Sequence, residues 1–447
     1  MYCAIRKELN ASATLSFLRL SGLKTIAMTK RTPSLLLVLF ATGYMLIFLT
    51  GCIKDKITAT HTYTYTIMTP VLKSKADVLA AINGNPAETV QKAGKIYIKD
   101  KFIYLNEVNK GIHIIDNSNP SQPSQVAFLN IPGNLDIAVK GNTLYADMYN
   151  DLLAIDISNP KHVSITNRMA NFFMGRMYGY SSNIDDKYVA VDWIKKDTVV
   201  AVTNQYYEAG GDMLALSNGS SPGAKSNGNG TAGSMASMVL MNNYLYAIRE
   251  QHSVGIVDIS APATPRLDTT FYAGFDLETI YPFEDKLFLG SSTGMFMYDL
   301  ANPTSPVQLG TFSHGRACDP VVTDGAYAYV TLRGGTSCGG NDNELNIVDV
   351  KDLMNPVLVK TYPLTGPTGL TKDGNLLFVC DGTSGVRLYD ASNPAAIKQL
   401  TQIDSVEPYD IIAANKKAMV VGKNGLYQYD YSDLNNIRLL SFYSLKK

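Results

Sequence analysis

The chain has 447 residues, with 39 basic and 39 acidic side chains and a charged fraction of only 17%. That fraction is well below the roughly 25% of an average soluble domain, which excludes a disordered or coiled-coil protein. The balanced charge leaves no electrostatic footprint for nucleic acid, so we expect no nucleic-acid partner. The 35 Gly, 19 Pro and 27 Tyr residues favour an all-β fold with many turns.

The N-terminal region carries a targeting signal. Lys30 and Arg31 precede a mostly apolar run over residues 35–48, and small residues then precede Cys52. This order is typical of a secretory signal peptide, and the run is shorter than the roughly 20 residues of a membrane span. We predict a signal peptide over residues 28–51 that starts at Met28, and we expect residues 1–27 to be a misassigned upstream extension.

The sequence Leu49-Thr50-Gly51-Cys52 resembles the lipobox of bacterial lipoproteins. The resemblance implies that Cys52 is lipidated and becomes the mature N-terminus. It further implies a protein anchored in the bacterial cell envelope, at the outer membrane and facing the periplasm or the cell surface. Residues 52–89 are then a linker and an N-terminal arm, in which residues 73–82 predict a short helix.

An internal repeat of about 41 residues dominates the rest of the chain. Each copy has an alternating apolar strand that ends in Asp, followed by a polar turn that often contains Asn-Pro. The strand-ending residues are Asp116, Asp156, Asp258, Asp299, Asp349, Asp390 and Asp430. Aspartate can accept from the backbone N–H two residues further on, so we interpret this recurring residue as structural.

The spacing of the repeats sets the number of units. Six gaps separate the aspartates, and only the gap from Asp156 to Asp258 is long enough for two units. We place a hidden unit there, with strands at 187–193 and 197–202 and a Ser/Gly/Asn loop at 217–234. Units of about four short strands at this period predict a β-propeller over residues 90–447. Eight four-stranded blades are expected, with seven as the alternative.

The repeats also resemble a known family. The segments Gly-Ile-Val-Asp-Ile-Ser at 255–260 and Leu-Asn-Ile-Val-Asp-Val at 345–350 are similar to LVIVD repeats. The resemblance implies a bacterial exported β-propeller, in many members a lipoprotein, and it carries no catalytic residues to this chain.

Candidate binding residues follow from position within the blades. Innermost strands line the central channel of a propeller, and loops on a rigid scaffold carry function. Acids at the entries of these strands, with arginines in the preceding loops, predict a funnel that could bind a polar ligand or a divalent cation such as Ca²⁺ or Mg²⁺. The alternative is that the acids cap neighbouring N–H groups. The candidates are Asp136, Glu278, Asp319, Asp410, Arg176 and Arg316.

Two cysteines of one unit, Cys318 and Cys338, flank a predicted hairpin and could form a disulfide in an oxidising compartment. The sequence gives no catalytic constellation and no metal-ligand spacing. We therefore expect a lipid-anchored, non-catalytic scaffold that binds a protein or a glycan. The alternative is an exported hydrolase or lyase that uses the acidic funnel with a divalent cation.

Overall fold

The computed structural model describes residues 60–173, 187–203, 231–317, 320–336 and 339–444. The predicted extension, the signal peptide and Cys52 lie outside these ranges. The chain divides into two compact units, Met1–Tyr63 with Ala201–Gln205, and Thr64–Val200 with Tyr206–Lys447. In the first unit only residues 60–63 and 201–203 are described, and they are strand residues.

The elements that precede the third blade comprise an arm, two blades and two further strands. The arm has β1 (Thr60–Ser74), α1 (Lys75–Ala80) and β2 (Gly84–Asn85). Blade 1 has β3 (Ala93–Lys99), β4 (Phe102–Glu107), β5 (Gly111–Asp116) and β6 (Ser124–Asn130). Blade 2 has β7 (Ile137–Lys140), β8 (Thr143–Met148), β9 (Asp151–Asp156) and β10 (Ser164–Met169). The long β11 (Tyr188–Thr203) and the short β12 (Thr231–Ala232) follow.

Five more blades complete the ring. Blade 3 has β13 (Met238–Met241), β14 (Tyr244–Glu250), β15 (Ser253–Asp258) and β16 (Arg266–Tyr272). Blade 4 has β17 (Leu277–Phe283), β18 (Lys286–Ser291), β19 (Gly294–Asp299) and β20 (Val307–Ser313). Blade 5 has β21 (Val321–Thr323), β22 (Tyr327–Arg333), β23 (Asn343–Asp349) and β24 (Val357–Pro363). Blade 6 has β25 (Leu370–Asp373), β26 (Leu376–Cys380), β27 (Val386–Asp390) and β28 (Lys398–Ile403), with short 3-10 turns at Gly382–Ser384 and Pro394–Ala396. Blade 7 has β29 (Pro408–Ala414), β30 (Lys417–Gly422), β31 (Gly425–Asp430) and β32 (Arg438–Ser444).

The burial of each strand follows its place in the blade. In blade 2 every residue of β8 is buried, whereas the outer strand β10 alternates between exposed and half-buried positions. Strands covered on both faces have continuous apolar runs, and strands with one wet face alternate. The register between the third and fourth strands shifts in all seven blades. Such bulges increase the local twist, which the outer strand of a blade needs.

The turn chemistry expected from the sequence is confirmed. In all seven blades the strand-ending aspartate accepts from the backbone N–H two residues on, at 2.8–3.1 Å. The asparagines of four Asn-Pro turns, Asn119, Asn159, Asn302 and Asn393, do the same at 3.1–3.3 Å. Gly141 and Gly374 have φ of +57° and +59°, the positive values that their tight hairpins require. The recurring aspartates are therefore structural.

The all-β propeller class is confirmed, and the number of blades needs a correction. The described residues form eight antiparallel sheets, of which seven have the four-stranded blade pattern, the alternative number stated above. The eighth sheet has two strands, β1 and β11. The predicted hidden unit is thus one long strand in its described part. Thr203 stands where the other units have Asp, so the sequence there lacks the residue type that forms the Asx turns.

Blade 2 packs directly on blade 3, which leaves no place for a blade between them. The Tyr145 hydroxyl of blade 2 donates to the carbonyl oxygen of Pro262 in blade 3 at 2.9 Å. The Lys140 ammonium of blade 2 donates to the carbonyls of Asn242 and Ile259 in blade 3 at 3.0 and 3.1 Å. Strand β11, which lies between the two blades in the sequence and pairs with β1, is therefore not part of the ring, and we call it the excursion.

The ring closes between the first and last blades without a shared strand, as predicted. Blade 1 and blade 7 each take their four strands from one unit. The side-chain amides of Asn117 and Gln428 exchange two hydrogen bonds, of 3.0 and 2.7 Å, across this junction. The Tyr443 hydroxyl of blade 7 adds a bond of 2.6 Å to Gln125 Oε1 of blade 1. Closure therefore rests on side chains.

The arm is fixed to the first two blades. Helix α1 lies inside the segment for which a helix was predicted, and Ser74 Oγ caps it by accepting from Asp77 N at 3.2 Å. The buried Lys75 ammonium lies 3.2 Å from Asp151 of blade 2. Strand β2 extends blade 1 by pairing with the outer strand β6. Within the described part of the chain, no helix has the length and apolar character needed to cross a membrane.

Candidate functional site

The entry of the central channel is filled by the protein's own chain. We call residues 231–238 the axial segment. Its strand β12 pairs antiparallel with the innermost strand β3 of blade 1, and Gly233 N donates to the carbonyl oxygen of Ile96 at 2.8 Å. The Ser234 hydroxyl oxygen accepts from Leu370 N of blade 6 at 2.8 Å. The sequence predicted residues 217–234 as a loop, and their last four residues instead occupy the channel.

Two of the predicted funnel acids meet this axial segment. Asp136 precedes β7, Asp410 lies near the start of β29, and both side chains are buried. Asp136 Oδ2 accepts from Ser237 N, Ser237 Oγ and Met238 N at 2.5, 2.7 and 3.1 Å. The Lys95 ammonium lies 2.9 Å from the same oxygen and balances its charge. This arrangement is the capping role that the sequence left as the alternative.

Asp410 is held in the same way by one of its two oxygens. Its Oδ1 accepts from Ser234 N and Ile411 N, both at 2.9 Å. Its Oδ2 is buried and has no hydrogen-bond partner. Burial raises the pKa of Asp410 well above its usual range, against the opposing effects of the hydrogen bonds and of Lys95. Asp410 therefore supports the axial segment while it carries an unsatisfied oxygen.

The structure does not bring the other predicted site residues into this cluster. Glu278, the second residue of β17, is half-buried and makes an interaction of its own. Arg316 is exposed in the loop before blade 5, with its guanidinium 3.8 Å from Asp276. The remaining candidates, Asp319, Arg176, Cys318 and Cys338, lie outside the described residues. The funnel and the disulfide therefore stay predictions at those positions.

No metal centre is formed by the described side chains. Within the ranges given above, no three His, Cys, Asp or Glu side chains are grouped closely enough to hold an ion. Cys380 is buried and unpaired, and burial together with the carboxylates of Asp410 and Asp381 raises the pKa of its thiol. That environment disfavours the reactive thiolate.

A groove of about 910 Å³ lies between the arm and the loops of blades 1 and 2. We call it the arm groove. Apolar and aromatic side chains line part of it, among them Val78, Pro132, Tyr149, Val191 and Trp193. The polar part has exposed amide and charged side chains: Lys73, Asp77, Gln91, Asn109, Asn130 and Asp192. A concave mixture of this kind is the usual form of a ligand site.

The walls of the arm groove are held in place. The Tyr149 hydroxyl donates to the carbonyl oxygen of Ala190 on β11. Asn109 has a φ of +64°, and its backbone bonds to Asn134 O and from Gly133 N, each 2.9 Å, fix this conformation. Sequence reasoning missed this groove. The available signal was Trp193, the only tryptophan of the chain, in a segment that departs from the repeat.

A second cavity, of about 440 Å³, opens at the other end of the channel. It is lined by the ends of innermost strands and by hairpin residues such as Thr231, Asp324 and Lys372. The Lys372 ammonium lies 2.9 Å from Asp324 Oδ2 and donates to the carbonyl oxygen of Gly374 at 2.6 Å. These groups satisfy one another, so the mouth of this cavity offers little unused chemistry.

Solved structures of other proteins are similar to this chain. Three solved structures similar to this chain are the computationally designed Ika8 protein, BamB from Moraxella catarrhalis and Sqt1 from Saccharomyces cerevisiae. Their identities are 8%, 9% and 9%, and their TM-scores are 0.49, 0.45 and 0.48. The matches cover 82%, 81% and 81% of this chain and 91%, 97% and 88% of the others. No protein with a curated description is detectably similar to this chain in sequence.

The repeat itself matches a described family. The LVIVD repeat matches residues 91–129, 134–170, 232–272 and 314–363. These regions correspond to blades 1, 2, 3 and 5, and the excursion between blades 2 and 3 lies outside them. The resemblance stated from the sequence is confirmed: LVIVD repeats are present at these four regions of the chain.

Proposed function

We propose that this protein is a lipid-anchored, non-catalytic scaffold of the bacterial cell envelope that binds a protein or a glycan. The observation that carries the proposal is the axial segment. Asp136 and Asp410 accept hydrogen bonds from its backbone, so these acids serve the fold. The hydrolase or lyase alternative needs acids that face an open funnel, and the two acids at the axis do not provide one.

The open, rigid surface of the molecule is where a partner would bind. Propeller loops vary on a constant frame, and binding residues concentrate on such loops. The arm groove combines loops of two blades with a segment outside the repeat, and the Lys75–Asp151 ion pair holds the arm beside them. In the sequence, the arm follows the proposed lipid attachment at Cys52.

The anchor is tested by replacing Cys52 with Ala in the native bacterium. Labelling with an alkyne fatty acid should mark the unaltered protein and not the variant, and the variant should leave the membrane fraction or remain unprocessed. A single acyl chain binds membranes only marginally, so two or three chains are expected. Cys380→Ala, a cysteine of the predicted mature chain, is the control and should label normally. A labelled Cys52→Ala protein that fractionates with membranes would refute the anchor.

A further inference from the structure

The arm groove offers an aromatic surface. Trp193 on β11 and Tyr149 in the β8–β9 hairpin both line it, together with Pro132 and Val191. Trp193 and Tyr149 are half-buried. The Tyr149 hydroxyl donates to the carbonyl oxygen of Ala190, so we expect a ligand to contact the ring of Tyr149 and not its hydroxyl. Aromatic rings have a negative face that attracts polarised C–H groups, and the faces of pyranose rings consist of such groups.

The polar side chains of the groove can both donate and accept hydrogen bonds. Asn109, Asn130 and Gln91 have exposed side chains, and each amide carries a donor and an acceptor. A hydroxyl group also has both functions, so a polyhydroxylated ligand is the natural complement of amides.

The charges of the groove cancel, which bears on the charge of its ligand. Its lysines are Lys73 and Lys110, and its acids are Asp77 and Asp192. Lys110 is already engaged, with its ammonium 3.4 Å from Glu107 and 3.6 Å from Glu88. A site for an anionic ligand would need an excess of cationic donors. The balance favours a neutral ligand.

The groove is also preformed, which lowers the entropic cost of binding. The buried carboxylate of Asp151 accepts from Lys75 of the arm, from Arg168 Nε at 2.6 Å and from Asn171 N at 3.0 Å. Gly133 lies so close to the Tyr149 ring that a β-carbon there would stand 2.5 Å from it. The ring is therefore clamped against the loop backbone, in the position in which it would stack on a sugar.

From these features we infer that the arm groove binds a neutral oligosaccharide, with sugar rings on Trp193 and Tyr149 and hydroxyls on Asn109, Asn130 and Gln91. The volume of about 910 Å³ lies at the upper end of the range for small-molecule sites, which suits several sugar units. This inference rests on the proposed scaffold function and makes the partner of the scaffold a glycan.

The sole tryptophan gives a direct assay. Full-chain protein in nanodiscs is titrated with neutral tetrasaccharides of glucose, N-acetylglucosamine, mannose and xylose, and with an acidic tetrasaccharide from heparin. At least one neutral tetrasaccharide should change the Trp193 emission saturably, and the acidic one should not bind more tightly. By calorimetry, Trp193→Ala should weaken binding about tenfold or more, and Asn130→Ala should also weaken it. Both variants should remain folded, as judged by circular dichroism.

Tyr272→Ala is the matched aromatic control. Tyr272 is 70% exposed on blade 3 and outside the groove, so its removal should leave the affinity unchanged. If no neutral tetrasaccharide binds at about 10 mM, or if Trp193→Ala binds as well as wild type, the inference is overturned. A photo-crosslinker at position 130 that captures a protein, with no sugar binding, also overturns it. If the protein incorporates the fatty-acid label but binds no sugar, only the oligosaccharide inference is refuted. If the protein binds sugar but incorporates no label, only the lipid anchor is refuted.

Discussion

Replacement of Gly233 by Ala tests whether the axial segment is part of the folded core. A β-carbon at position 233 would stand 2.0 Å from Asp410 Oδ2 and 3.3 Å from Ile96 Cγ1. The first distance is too short for any real contact, and Asp410 is fixed by its bonds to Ser234 N and Ile411 N. The carboxylate and the axial segment must therefore move apart in the variant.

The size of the effect follows from three contributions. Overpacking in a dense core costs about 1–3 kcal/mol, and leaving the buried Ser234 N–H without its acceptor costs about 1–3 kcal/mol more. The loss of glycine from the unfolded chain offsets about 0.4–1 kcal/mol. We expect Gly233→Ala to lower the free energy of unfolding by about 1–5 kcal/mol.

The assay is equilibrium unfolding in urea, followed by circular dichroism, with the slope checked for two-state behaviour. Gly366→Ala is the matched control, because a β-carbon there meets no atom within 4 Å. It should be neutral or slightly stabilising. Ser234→Ala removes the acceptor of Leu370 N and should lower the free energy of unfolding by about 1–3 kcal/mol. This second variant tests the packing of the axial segment if Gly233→Ala does not fold. A Gly233→Ala protein within about 0.5 kcal/mol of wild type would show that the segment is not packed as described.

Two further changes test the roles of the aspartates. Asp258→Ala removes the acceptor of Ser260 N and should lower the free energy of unfolding, measured in urea at neutral pH, by about 1 kcal/mol. Asp268 is exposed in the same blade, so Asp268→Ala should leave the free energy of unfolding nearly unchanged. If the two variants lose the same stability, Asp258 does not stabilise the turn. Because burial raises the pKa of Asp410, the folded protein holds a proton that the unfolded chain loses, so its stability falls as pH rises above the ordinary carboxyl range. Asp410→Asn removes this titration, so the urea midpoint of the variant should rise relative to that of the wild type as the pH goes from 4 to 8. If the difference between the two midpoints stays constant or shrinks over this range, Asp410 does not have a raised pKa.

The repeat and its turns could be predicted because their chemistry is local. A strand-ending Asp and the backbone N–H two residues on are neighbours in the chain, so the sequence contains both partners of the bond. The same holds for the hairpin glycines, of which Gly141 and Gly374 have the expected positive φ. One such turn is weak evidence for a fold, but its recurrence in seven units was enough to assign the fold class.

The excursion and the axial segment could not be predicted in the same way. Alternating residues over 187–202 indicate a strand, but they do not indicate whether its partner is the next hairpin or the distant β1. The residues of β12 are small and follow a Gly-rich tract, which is typical of loops. Their strand character comes from pairing with β3, more than 130 residues earlier. The positions of Asp136 and Asp410 at the strand entries were predicted correctly, but their donors lie on that same unanticipated segment.

The axial segment also changes how this ring should come apart. In an ordinary repeat array each unit contacts only its neighbours, so stability is a sum over adjacent pairs and units can be lost one at a time. Here a few residues that lead into blade 3 bond to blade 1 through Ile96, to blade 6 through Leu370 and to blade 7 through Asp410. Blades that are not adjacent in the chain are thereby tied at one point on the axis. Because one segment bonds to blades 1, 6 and 7 and leads into blade 3, the propeller should melt as one cooperative body rather than blade by blade.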